Sequence, residues 1–183
     1  MRFQILALLA LASASAANQW AGMENLPDGA YSGTNHPDGS TTMTSLDSGE
    51  TYTFSLTESG ATEQTKRSDH AISKRLTSCW GYELDHGGVD DGVRELMNWA
   101  GTGGKDLVSG NSRSYYGFNR KGVYVYYCIN ALHTQGNLDI TDIKYANYMM
   151  DSGCGSYQAS YFLWPGSAEL VGKCRSGTAI CLG

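Results

Sequence analysis

The sequence predicts an α+β fold: an antiparallel sheet with two helices packed on one face, stapled by disulfides and preceded by a low-core leader. Three observations predict it. Between residues 78 and 181 the hydrophobic periodicity runs strand, helix, strand, strand, helix, strand, strand, with each helix followed by a hairpin pattern. All five cysteines lie from Cys79 onward. The composition changes near residue 76, from Gly, Ser, Thr and Asp to a chain dense in aromatic and β-branched residues.

Taken in order, residues 1–16 read as a secretory signal peptide. Arg2 supplies the basic start, Ile5 to Ala12 the apolar run, and Ser13-Ala14-Ser15-Ala16 the small-residue cleavage site. The apolar run is far short of the ~20 residues that a membrane-spanning helix needs. Residues 17–75 form a polar leader or propeptide. Turn chemistry dominates at Asp28-Gly29 and Asp38-Gly39. One strand is expected over residues 50–56, where Thr51, Thr53 and Ser55 alternate with Tyr52, Phe54 and Leu56. The leader holds too few apolar residues for a core of its own. It ends in two dibasic pairs, Lys66-Arg67 and Lys74-Arg75. Exposed paired cations suit the acidic pocket of a kexin-type processing protease, and the polar flanks suit an accessible linker. The same pairs also fit a bipartite nuclear-import signal acting after uptake into another cell.

Residues 76–183 then form the cysteine-containing domain. A strand spans 78–84. A helix spans 89–100, with Val89, Val93, Leu96, Met97 and Ala100 on one face, Asp90 and Asp91 in its first turn, and Gly101 as its stop. Strands follow at 113–120 and 122–129 around a turn at Asn119–Gly122. In the second of these, Val123, Val125 and Tyr127 face one way and Tyr124, Tyr126 and Cys128 the other, the mark of a central strand. A second helix is expected at 139–151, N-capped by Asp139 and ended by Gly153. A hairpin of 156–163 and 169–174 turns at Trp164-Pro165-Gly166-Ser167, and 178–181 adds a short edge.

Five cysteines, Cys79, Cys128, Cys154, Cys174 and Cys181, allow at most two bonds within the chain. There are five choices of unpaired thiol, each with three pairings, and spacing does not select among them. Cys181, close to the C-terminal residue, is the first candidate for the unpaired one. No CxxC or HxxxH spacing occurs, so neither a metal site nor a cofactor is expected.

The formal charge of −5 argues against a nucleic-acid partner, which favours a Lys/Arg-rich face. No nucleophile elbow, phosphate loop, dinucleotide fingerprint or HExxH is present, and no catalytic residue is assigned. Asp85-His86, between the first strand and the first helix, would serve a small hydrolase as an acid–base pair, and otherwise forms a polar loop. Glu83, Asp85 and Glu169 are the acids from which a glycosidase pair would have to come. Tyr115, Tyr116, Phe118, Tyr124 and Trp164 are the candidate binding surface, because flat aromatics give contact area at low entropy cost.

The signal peptide, the cysteine-free leader ending in Lys-Arg and the short cysteine-stapled domain resemble fungal secreted effectors. The segment from Cys79 into the first helix, the Tyr-rich strand ending at Cys128, the helix running into Ser152-Gly153-Cys154-Gly155-Ser156, and Cys174 resemble the killer-toxin-like α/β fold found among them. The resemblance covers residues 78–181 and implies a role outside the producing cell: virulence, immune modulation or antagonism of competitors. The expected function is therefore a secreted, extracellular effector that binds a host or competitor protein without catalysis. A cell-wall glycan-binding module, an effector imported into host nuclei and a small secreted hydrolase are the alternatives.

Overall fold

The computed structural model describes residues 18–57 and 77–183. The elements in chain order are β1 (Gln19–Trp20), a 3-10 turn (Met23–Asn25), β2 (Gly29–Asn35), β3 (Thr41–Ser45), β4 (Thr51–Phe54) and β5 (Leu56–Thr57). They continue with β6 (Thr77–Glu83), α1 (His86–Ala100), β7 (Lys105–Val108), β8 (Arg113–Arg120) and β9 (Val123–Ile129). The last are β10 (Gln135–Leu138), α2 (Ile140–Cys154), β11 (Gln158–Leu163) and β12 (Glu169–Arg175). Eight strands form one antiparallel sheet in the order β4-β3-β2-β8-β9-β12-β11-β6, while β1 pairs with β5 and β7 with β10.

The β8–β9 hairpin sits at the middle of the sheet. Lys121 and Gly122 both have positive φ, 50° and 72°, the two-residue turn whose twist matches that of the flanking strands. All seven residues of β9 are buried, and they divide by parity. Val123, Val125, Tyr127 and Ile129 join a cluster that includes Val89, Val93 and Leu96 of α1, Ile143, Ala146 and Met150 of α2, and Phe162 and Val171. Tyr124, Tyr126 and Cys128 join a second cluster with Trp20, Met23, Tyr31, Met43, Tyr115, Leu170, Cys174 and Ile180. In this second layer tyrosine rings occupy the space above glycines of the adjacent strand. A Cβ placed at Gly33 would overlap the Tyr115 ring, one at Gly117 the Tyr124 ring, and one at Gly172 the Tyr126 ring.

The second cluster corrects the expectation of a low-core leader. Residues 18–57 contribute Trp20, Met23, Leu26, Tyr31, Met43 and Phe54 to the interior. β2 pairs with β8 over seven registered positions, from Gly29 opposite Asn119 to Asn35 opposite Arg113. The segment has no core of its own because its apolar residues complete the core of the rest. Only β4, within the strand expected at 50–56, was visible in isolation. The side chain of buried Asn119 fixes the seam by donating to the carbonyls of Leu26 at 2.6 Å and Pro27 at 3.1 Å.

The helices begin and end slightly differently from the expectation. α1 starts at His86 because Asp85 caps it, accepting from the Gly88 amide at 2.7 Å. Gly88 and Gly92 bring the helix onto β8–β9 so closely that a Cβ at either would overlap Val123 or Val125. α2 carries a capping box between Asp139 and Asp142, runs through Gly153 to Cys154, and is capped by Gly155. Residues 178–181 form no strand beyond one bridge between Gln19 and Thr178.

Two disulfides join Cys79 to Cys154 and Cys128 to Cys181, and Cys174 is the free thiol. This corrects the choice of Cys181 as the unpaired residue. The C-terminal tail turns back over the sheet, where Asn35 Nδ2 donates to the carbonyls of Ile180 (2.9 Å) and Cys181 (2.8 Å). Cys181 is thereby set against Cys128. Cys174 points into the second cluster, and burial pushes its thiol far above the ordinary pKa. The two bonds differ in access: Cys79 is exposed on the edge strand β6, whereas Cys128 and Cys181 are both buried.

Replacing Gly172 with Ala is expected to lower stability by about 1–3 kcal/mol, because the Tyr126 ring must leave its seat over the strand. The shift of the denaturant midpoint measures it. An unchanged midpoint would show that the ring moves without cost.

Candidate functional site

An open groove lies between the helices. It has a volume of about 340 Å³ and is lined by Val89, Val93 and Met97 of α1, Asn147 and Asp151 of α2, and Ser156 and Tyr157 beyond it. Asp90 and Arg94 also line it. Helical spacing explains the two walls: Val89, Val93 and Met97 recur every four residues on α1, as Asn147 and Asp151 do on α2.

Beneath α2's C-terminal end lies an ion pair. Lys173, from β12, is 0% exposed, and its Nζ donates to Asp151 Oδ1 and to the Ser156 carbonyl, both at 2.6 Å. The Asp151 side chain keeps 28% of its exposure. Its other oxygen accepts from Asn147 Nδ2 at 3.3 Å. That bond fixes the Asn147 amide, since the flipped orientation would set oxygen against carboxylate. Asn147 Oδ1 is then a buried acceptor without a partner. Arg94 is held by Asp91 at 2.5 Å, and the hydrogen bonds from Arg94 and from Lys121 keep the Asp91 carboxyl below its ordinary pKa. Asp90 makes no ion pair among the described residues.

The residues singled out from sequence are distributed elsewhere. Asp85 is occupied as the α1 cap. The His86 ring stacks on Tyr157 with centroids 3.7 Å apart, and its Nε2 contacts Glu83 at 2.8 Å. Glu83 and Glu169 stand at opposite ends of β11: Glu83 pairs with Gln158, while Glu169 follows the turn after Leu163. They do not form a facing pair. Glu169 instead accepts from the Tyr127 hydroxyl at 2.5 Å. Of the candidate binding surface, Tyr115, Tyr116, Phe118 and Tyr124 are buried in the two clusters, which corrects their assignment to a surface. Trp164 is half-buried and sits edge-on to Phe162 at 5.1 Å.

Sequence reasoning missed three groups. Lys173 lies in a strand whose pattern gives no sign of a buried charge. Asn147 reads as one more residue of the helix face. Tyr145 and Tyr148, 49% and 66% exposed on α2, are the large aromatics that the described surface does present. Tyr145 stands edge-on to Phe162 at 5.5 Å, so Tyr145, Phe162 and Trp164 form one chain of rings from surface to core.

The Lys66-Arg67 and Lys74-Arg75 pairs and residues 1–16 lie outside the described residues. Among the described residues no helix is long and apolar enough to cross a membrane, and no group of three or more His, Cys, Asp or Glu is placed to hold a metal. No known protein family, curated protein or solved structure matches the chain.

The ion pair is asymmetric, and so are the expected effects of breaking it. Asp151→Ala leaves a fully buried ammonium without its counter-charge and is expected to cost about 3–5 kcal/mol. Lys173→Met leaves a carboxylate that reaches water and is expected to cost less. Urea unfolding of both variants decides, and equal losses would contradict the asymmetry.

Proposed function

We propose that the protein is a secreted effector that acts by binding a host or competitor protein rather than by catalysis. The observation that carries this is the aromatic face of α2. Tyr145 and Tyr148 project from a helix that is capped at one end and disulfide-bonded at the other, with Trp164 linked to Tyr145 through Phe162. Rigid exposed tyrosine and tryptophan next to a packed core is the composition of binding hot spots. The apparent acid–base pair supports the same reading, because Asp85 is engaged as a cap and His86 in a stack with Tyr157. The signal-like N-terminus, the two disulfides and the resemblance to fungal effectors support action outside the producing cell.

In this proposal the dibasic pairs are processing sites, and the fold changes what processing yields. Residues 18–57 are paired with β8, and neither disulfide reaches them. Cutting after Arg67 or Arg75 therefore leaves two chains in one sheet. Material from the culture medium is expected to separate into two polypeptides on a non-reducing denaturing gel and to elute as one species in native size exclusion. Elution of the C-terminal piece alone would refute this.

The binding face has its own test. The double substitution Tyr145→Ala with Tyr148→Ala, at exposed positions, is expected to abolish the protein's effect on target cells while leaving its melting temperature within a few degrees of wild type. Retention of the full effect would remove α2's outer face from the function.

A further inference from the structure

We infer that the Cys79–Cys154 disulfide is a redox latch: a dithiol that opens it releases the C-terminal turn of α2 and uncovers the buried Lys173 ammonium. The first observation behind this is the difference in access between the two bonds. Cys79 is exposed on β6 and Cys154 is half-buried, whereas Cys128 and Cys181 are 0% and 5% exposed. Exchange needs a thiolate to reach a sulfur, so the surface bond reacts first.

The second is how little else holds the segment. No residue from Asp151 to Gln158 is buried; Met150 and Ala159 on either side are. Gly153 lies inside the last turn of α2, where glycine disfavours helix. A stretch with few buried contacts opens locally at low cost. The opening is bounded at both ends. Ahead of it, Ile143, Ala146 and Met150 anchor α2 in the first cluster. Behind it, the Tyr157 carbonyl accepts from the Leu84 amide at 2.8 Å, and the Tyr157 ring stacks on His86.

The third is where the ion pair sits. Both acceptors of Lys173 Nζ belong to this segment, the Asp151 carboxylate just before Cys154 and the Ser156 carbonyl just after it. With the disulfide closed, the segment stays in place and the 0% exposed ammonium keeps its partners. With the disulfide open, the turn moves out and water reaches both charges. Hydration then offsets the loss of a pair that costs much desolvation to hold.

The exchange balances with a dithiol as reductant. One of its thiolates attacks Cys79 Sγ, the S–S bond breaks, and Cys154 leaves as a thiolate that takes up a proton. The second thiolate displaces Cys79 from the mixed disulfide and closes the reductant into a cyclic disulfide; Cys79 takes up the second proton. Two electrons pass from the dithiol to the cystine, and the two protons that it loses match the two gained. Cys174 does not compete as the attacking group, because it is buried and its thiol is held protonated. The latch is closed where disulfides persist and open where dithiols are abundant. It uses residues distinct from Tyr145, Tyr148 and Trp164, so it stands whether or not the aromatic face proves to be the contact surface.

The test is a graded dithiothreitol titration of the oxidised full chain under native conditions. Iodoacetamide traps free thiols, acetic anhydride labels lysines, and peptide mass spectrometry reads both. Cys79 and Cys154 are expected to be trapped at dithiol concentrations that leave Cys128 and Cys181 bonded. Over the same range the acetylation rate of Lys173 is expected to rise about tenfold or more, as local opening is eased. The exposed Lys105 and Lys144 serve as controls and are expected to stay constant. Amide hydrogen exchange is expected to quicken over residues 151–156 and to stay slow in β9 and β12.

The double substitution Cys79→Ser with Cys154→Ser is expected to show the same Lys173 reactivity without reductant. Should that variant not fold, the wild-type titration decides alone. The inference is overturned if Cys128–Cys181 opens at the same dithiol concentration, or if Lys173 stays protected once Cys79–Cys154 is open. Loss of protection across β9 and β12 together with 151–156 would overturn it too, since the opening would then be global unfolding.

Discussion

Everything in this fold follows from one strand that is buried on both sides. β9 has no solvent face: its valines, Tyr127 and Ile129 press one way, and Tyr124, Tyr126 and Cys128 press the other. A sheet with two apolar faces needs two covers. The first cluster draws its cover from α1 and α2. The second draws its cover from the opposite ends of the described chain, Trp20 and Met23 near one and Ile180 and Cys181 at the other. The covers differ in chemistry as well. Helices bring their own backbone hydrogen bonds, whereas the second cover is extended chain whose amides must be satisfied one by one. Trp20 N therefore donates to Gly177 O and Ala179 N to Asn18 O, while buried Asn35 and Asn119 serve the carbonyls that remain.

The tyrosine-on-glycine contacts are the local form of the same constraint. An extended second cover cannot fill every depth, so large rings on β8 and β9 fill the layer themselves, and the strand beside each ring gives up its side chain. Gly33, Gly117 and Gly172 are thus part of the packing, although each reads in isolation as a weak point in a strand. Among the described residues the arrangement leaves two buried polar atoms on this side of the sheet unpaired, Asn35 Oδ1 and the Tyr124 hydroxyl, and burial raises the Tyr124 pKa well above the ordinary tyrosine value.

What was legible in the sequence is what local periodicity carries. The β8–β9 hairpin, the two-sided pattern of β9, the Asp139 cap and the β11–β12 hairpin all depend on neighbours within a few residues, and each stands close to its expected bounds. What was not legible depends on partners far along the chain. β2 and β3 alternate large or buried residues with small polar ones, but the buried set includes Gly33, Asn35, Thr41 and Ser45, which no hydrophobicity pattern marks. β7 and β10 are short, polar and exist through each other. The cysteine pairing turned on a tail whose path is set by Asn35, 146 residues from Cys181. The candidate aromatics failed as a surface for the converse reason: density of aromatics in strands signals burial here, and the exposed tyrosines sit on a helix where the pattern is ordinary.

The position of sulfur then bears on how the molecule is held together. Both disulfides close within 77–183: one fixes α2 to the edge strand, the other fixes the tail that forms part of the second cover. The remainder of that cover, residues 18–57, is attached through the seven-residue β2–β8 ladder and through Trp20, Met23, Tyr31 and Met43, all essentially fully buried. Were this segment to leave, Tyr115, which stacks on Trp20 and bonds Thr41, would lose its cover with Tyr124 edge-on beside it, an apolar surface of the kind that drives association. The oxidised half cannot shed its partner without exposing its own interior. A propeptide that serves only to delay activity need not be built this way, since it has to depart without opening the core. The packing of Trp20 and Tyr31 makes residues 18–57 a structural part of the working protein, whatever is done to the chain between Thr57 and Thr77.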